Sequence, residues 1–182
     1  LNNFITLEEF FTGNHPLLEQ AYSAMTIRFF ILQAHYRSTV DFSNDALKAA
    51  EKGLSRLLEA YSKIDKIQVS DQSDADIKLL QQKSYDAMND DLNSAVVISQ
   101  LFEASTIINS AIAGNIKLTE QDIEELKALF NLFLFDILGM RDEAKSGDDS
   151  SYESFSKAID ILLNLRAEAK SNKDWALSDK IR

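Results

Sequence analysis

The chain has 182 residues, of which 45% are hydrophobic, with one proline and five glycines. That length and apolar content support one ordinary domain, or two small ones sharing packing, and argue against disorder over most of the chain. No cysteine is present and only His15 and His35 could offer imidazole, which excludes disulfides, thiolate metal sites and a cysteine nucleophile. The formal charge of −10 argues at first against a nucleic-acid partner, but it is unevenly spread. Residues 57–156 hold 19 acidic against 8 basic groups, whereas residues 157–182 hold 6 basic against 4 acidic.

The opening Leu1-Asn2-Asn3-Phe4-Ile5 is apolar and uncapped, and reads as a cut end. Thr6 caps a short helix with Glu8 and Glu9 in its first turn, where acids suit the helix dipole, and Gly13 ends it. A loop around His15-Pro16 leads to Ser23, the N-cap of a helix to about Tyr36 whose apolar face is Ile27, Phe30, Ile31 and Ala34. Ser43 caps a longer helix to about Lys66, with Leu47, Leu54, Leu57, Leu58 and Tyr61 as its buried stripe. Residues 67–73 are polar and turn-like.

A further helix runs from after Ser73 to about Met88. Asn93 caps the next, to Ala113, with Val97, Leu101, Ala104, Ile108 and Ile112 on one side and Gly114 just past its end. Thr119 and Asp122 form a capping box for a helix to Leu138, stopped by Gly139. Between Leu129 and Leu138 this helix is apolar nearly all round, which predicts the most central element. Residues 142–151 read as a flexible loop, 152–171 as a last full helix, and Asp174 opens another. No strand-period segment and no repeat appears. The fold class is therefore all-α: an antiparallel helical bundle after a small helical N-terminal subdomain. No stretch approaches the ~18 consecutive apolar residues of a membrane span, and the start is no signal peptide, so a cytoplasmic protein with no membrane partner is expected.

Three stretches, in order along the chain, carry a family resemblance. The first is Asn2-Asn3-Phe4-Ile5-Thr6 followed by the helix from Ile27-Arg28-Phe29-Phe30 into Ala34-His35-Tyr36-Arg37-Ser38. The second is Ala87-Met88-Asn89-Asp90-Asp91-Leu92-Asn93-Ser94. The third is Arg166-Ala167-Glu168-Ala169-Lys170-Ser171-Asn172-Lys173-Asp174-Trp175-Ala176-Leu177-Ser178-Asp179-Lys180-Ile181-Arg182, and together the three resemble the bacterial cysteinyl-tRNA synthetases. The resemblance implies a C-terminal fragment that begins just past the KMSKS loop of a class I synthetase. A catalytic domain, with its HIGH and KMSKS signatures, its ATP with magnesium and its zinc, would lie outside the chain; no cofactor is expected within it, and the fragment alone should be inert.

The resemblance further implies a stem-contact fold over residues 1–60 and an anticodon-side helical bundle over 61–182. Within the latter, 172–182 would start a truncated C-terminal element. The implied partners are tRNA(Cys) and the protein's own catalytic domain. On the anticodon side the resemblance points to Lys170, Lys173, Trp175 and Asp179. Trp175 would stack on a base and Asp179, four residues on, would accept from base amino groups. Burial statistics alone would instead place a lone tryptophan in the core. Lys170 stands where the family has an arginine that reads the anticodon, and lysine lacks arginine's planar fork. The segment from Gly13 to Ala24 is longer than its equivalent in many members and has no assigned role.

On the stem side Arg28, His35 and Arg37 are candidate contacts, against solvated or structural readings of each. His35-Tyr36-Arg37 could orient the acceptor stem or link to the catalytic domain. Asp90-Asp91 reads as acids stabilising the following helix start rather than a metal pair. No Gly-rich phosphate loop, Ser-His-Asp arrangement or metal-ligand spacing is visible, and catalytic and metal residues are expected to be none. Two other readings are a related cysteine ligase of the mycothiol pathway, against which the Trp175/Asp179 element speaks, and a free-standing helical module that binds protein.

Overall fold

The computed structural model describes residues 4–143, 149–171 and 174–180, with the side chains of 149–158, 160 and 176 outside the description. These described residues form α1 (Leu7–Thr12), α2 (Ala24–Leu32), α3 (Asn44–Lys63), α4 (Ile77–Asn89), α5 (Ser94–Ile112), α6 (Glu120–Leu129), α7 (Asp149–Ser171) and α8 (Trp175–Lys180). A 3-10 turn at Ile64–Lys66 finishes α3, and a π-helical segment at Phe130–Ile137 continues α6. The fold is all-α; the described backbone adds one isolated bridge between Val69 and Leu118.

Local chemistry sets most helix starts. Thr6, Ser23, Ser43, Asn93 and Thr119 each accept an amide hydrogen bond as N-caps, and Thr6 with Glu9 and Thr119 with Asp122 close reciprocal capping boxes. α4 starts after Ser73, as expected, and its cap is Asp76, which accepts from the Leu79 amide. Ser73 is spent on its own turn, with its hydroxyl donating to the Ala75 carbonyl.

Burial opposes ionisation of Asp122, but hydrogen bonds from the Thr119 hydroxyl and amide (2.6 and 2.8 Å), together with smaller contributions from Ser73 and Lys78, outweigh it and hold the carboxyl below its usual value. A depressed carboxyl contributes stability above its unfolded-state pKa and loses it as pH falls through the folded one. Thr119→Ala should therefore cost about 1 kcal/mol at neutral pH. It should also flatten the loss of stability below about pH 4, read from denaturant melts in an acid series. An acid limb identical to that of the wild type would contradict this account.

The chain divides into two compact units, Leu1–Arg141 and Asp142–Arg182. The stem-contact boundary expected at residue 60 falls inside α3. In the first unit the tight turn at 90–93 folds α5 back along α4, while α3 packs on both α2 and α5. Leu57, Leu101, Ala104, Ile108, Leu126 and Phe133 are fully buried at the centre. By length and composition α5 could cross a bilayer, at a mean hydropathy of 1.4, but its apolar side is spent in this core.

Two expectations for α2 are corrected. The helix stops at Leu32 rather than Tyr36, because the Leu32 carbonyl accepts from the Ser94 hydroxyl at 2.8 Å and the chain turns away. Its buried face is Thr26, Ile27, Phe29 and Phe30, with Ile31 exposed. Gly53 of α3 explains the rotation: a Cβ there would lie 3.2 Å from the Phe29 ring and 3.3 Å from Phe102, so glycine opens the slot in which these rings meet edge to face.

The segment from Leu129 to Leu138 is central, as its composition predicts, with Leu129, Phe130, Phe133 and Leu134 at zero exposure. Its wider winding was not expected: the Leu138 amide reaches back to the Phe133 carbonyl at 2.9 Å. In the second unit α7 packs against α8, burying Ala169 and Ser178.

Candidate nucleic-acid interface

The anticodon-side candidates belong to the second unit. The turn between α7 and α8 is closed by the Asp174 amide, which donates to the Ala169 carbonyl at 2.8 Å. The Asp174 carboxylate then accepts from the Leu177 amide at 3.0 Å and so starts α8. Trp175 therefore stands at the first position of α8 and is 61% exposed rather than buried. Asp179 is also exposed and, four residues on, lies on the same helical face. Lys170 is exposed in the last turn of α7, and Lys173 lies outside the described residues. Trp175 and Asp179 thus present a large aromatic surface and a carboxylate on one exposed face of α8.

The stem-side candidates belong to the first unit and do not form one group. Arg28 is exposed on α2, yet its Nε donates to the Leu138 carbonyl at 2.7 Å. A Cβ at Gly139 would come within 2.9 Å of Arg28 Nη2, so the guanidinium lies over a backbone kept bare at a φ of +66°. Arg28 thus closes the open carbonyl end of the π-helical segment.

His35 and Arg37 come together in the turn after α2, and the group joining them is Asp91, between α4 and α5. Arg37 Nη1 lies 3.2 Å from Asp91 Oδ2 and His35 Nε2 lies 3.7 Å from the same oxygen. The Tyr36 hydroxyl donates to Asp91 Oδ1 at 2.6 Å, which raises the Tyr36 pKa, since ionisation would discard that proton and face the carboxylate. The His35 and Tyr36 rings stack at 4.7 Å, and the Arg37 guanidinium carbon lies 5.4 Å from the Tyr36 ring centre.

Asp91 therefore does not stabilise a helix start, as its place before Asn93 suggests. Asp90 ends α4, while Asp91 and Leu92 take left-handed backbone at φ of +60° and +54°. Two consecutive non-glycine residues in that region are costly, and here the conformation carries the carboxylate across to the turn after α2. Tyr36 and Asp91 are the residues that site reasoning from sequence missed. Both sit inside the family-like stretches, but no spacing along the chain shows that the first and second stretches meet.

A model described as the DALR domain matches residues 83–141, from the middle of α4 through the π-helical segment to the end of the first compact unit. Over all 182 residues the chain is 65% identical to the cysteine–tRNA ligase of Parabacteroides distasonis, covering the whole of this chain and 37% of that protein. It is 59% identical to that of Porphyromonas gingivalis and 57% identical to that of Bacteroides fragilis, with the same coverage in each. The chain thus spans little more than a third of the length of these relatives. Over its whole length, and with the DALR match across α5 and α6, the chain is similar to the C-terminal part of the cysteine–tRNA ligases.

Proposed function

We propose that this chain is the tRNA-binding part of a cysteine–tRNA ligase, positioning tRNA(Cys) for ATP-dependent cysteinylation by a catalytic domain outside it. The observation that carries the reading is the unbroken alignment of the chain with enzymes named cysteine–tRNA ligase. The work is docking rather than chemistry. Residues 1–60 take the stem side, through His35 and Arg37 and with Arg28 bracing its backbone. Residues 61–182 take the anticodon side, through Lys170, Lys173, Trp175 and Asp179. ATP with magnesium, and zinc, belong to the catalytic domain, which is also the partner within the intact cytoplasmic enzyme.

The exposure of Trp175 supports this division, because a core tryptophan would not leave 61% of itself to solvent. The local excess of basic groups in residues 157–182 supports it too, since phosphate contacts position the tRNA while base contacts select it.

The test is binding of this chain to tRNA(Cys) and to a second tRNA across a salt series. The expected result is a preference for tRNA(Cys), with affinity falling as salt rises, because released counterions drive the phosphate contacts. Absence of binding to either RNA, together with capture of a protein partner by the acidic bundle, would favour a protein-interaction module instead.

A further inference from the structure

The His35, Tyr36, Arg37 and Asp91 cluster has a composition that fits one kind of contact and not another. Arg37 already spends two guanidinium nitrogens on Asp91, at 3.2 and 3.4 Å, and the Tyr36 hydroxyl donates its hydrogen bond to the same carboxylate. The neighbouring Asp90 is exposed as well. A phosphate arriving here would meet a guanidinium that is already neutralised and two carboxylates, so the cluster is a poor anion site.

What it leaves to solvent is chiefly Tyr36 and Arg37. Tyr36 is 62% exposed and the Arg37 side chain 70%, while the His35 side chain, stacked on Tyr36, is 25% exposed. Rings and guanidinium planes held in a fixed stack are the surface on which an unstacked nucleobase settles. The holding has a visible cost, in two adjacent left-handed residues that glycine would occupy without strain. Asp91 and Leu92 keep their side chains there, and in Asp91 the side chain kept is the carboxylate that fixes the stack.

We propose that Tyr36, with Arg37 and His35, forms a second base-stacking face for the bound tRNA, and that Asp91 is the positioning residue that presents it. The inference rests on the tRNA-binding reading and adds to it a ligand class, an unpaired base, and a residue acting through others. Asp91 touches no RNA. It holds the ring and the guanidinium where RNA meets them.

Asp91→Gly separates this from simple electrostatics. Glycine keeps the left-handed backbone and removes only the carboxylate. If charge alone mattered, one negative group fewer would tighten binding to a polyanion. The positioning role requires the opposite: binding of tRNA(Cys) by the chain weaker by about fivefold or more, the lower range for one stacked base. Helix content and melting temperature should be unchanged or slightly raised. Tyr36→Leu should weaken binding to at least the same degree, and Tyr36→Phe, which keeps the ring and loses the clasp, less.

A blunt-ended, fully paired RNA duplex should bind none of the three variants more weakly than the wild type, since it offers no free base. Binding of tRNA(Cys) that is as tight or tighter in Asp91→Gly, and unchanged in Tyr36→Leu, overturns the proposal while leaving the tRNA-binding reading in place. A wild-type chain that binds neither RNA overturns both.

Discussion

Trp175→Ala, made in the intact ligase, should lower the kcat/KM for charging tRNA(Cys) by about 5- to 150-fold, the range for losing one aromatic stack on a base. Formation of cysteine adenylate, followed by ATP–pyrophosphate exchange, should not change. The two readouts separate because Trp175 stands 61% exposed on the short helix α8, in a compact unit distinct from that of residues 1–141, and leaves its surface to solvent rather than to a core. A structural tryptophan would behave differently: its loss would lower the melting temperature and reduce both activities together. Equal charging by wild type and variant, with the fold intact, would remove Trp175 from the interface.

The second large effect concerns stability. Phe133→Ala should cost about 3–5 kcal/mol, the range for emptying a fully buried aromatic site. For a chain of this size that corresponds to a fall of roughly 6–20 °C in the melting temperature. Phe133 has no exposed surface, meets Tyr85 edge to face at 5.1 Å, and gives its carbonyl to the wide hydrogen bond that closes the π-helical segment. Few routes to collapse exist around it, because Arg28 clamps the end of that segment through the Leu138 carbonyl. Calorimetry is the direct check. A cost below about 1 kcal/mol would mean that the site refills, and that Phe130–Ile137 is not the rigid centre its burial implies.

The elements most legible in the sequence were those governed by chemistry within four residues. Thr6, Ser23, Ser43, Asn93 and Thr119 could be named as caps because a hydroxyl or amide oxygen satisfies an amide three residues on, whatever the remainder of the chain does. The all-α class and the centrality of residues 129–138 followed from periodicity and unbroken apolarity, which are likewise local. The family resemblance was legible for a related reason, since it rests on short runs of contiguous residues.

Tertiary structure decided where such rules ran out. The face of α2 turned to Phe29 because Gly53, on another helix, leaves a slot only there. The same helix ended at Leu32 because Ser94, 62 positions away, takes its carbonyl. The π-helical winding of Phe130–Ile137 answers the packing of its large side chains and the Arg28 clamp at its end, neither of which a period of 3.6 can encode. Asp91 reads in sequence as an acid before a helix, yet in the fold it gathers His35, Tyr36 and Arg37. The sequence by itself thus determined the helical class, most of the caps and the family resemblance. The fold decided which side chains meet, because a contact between residues some 55 positions apart depends on how every helix between them packs.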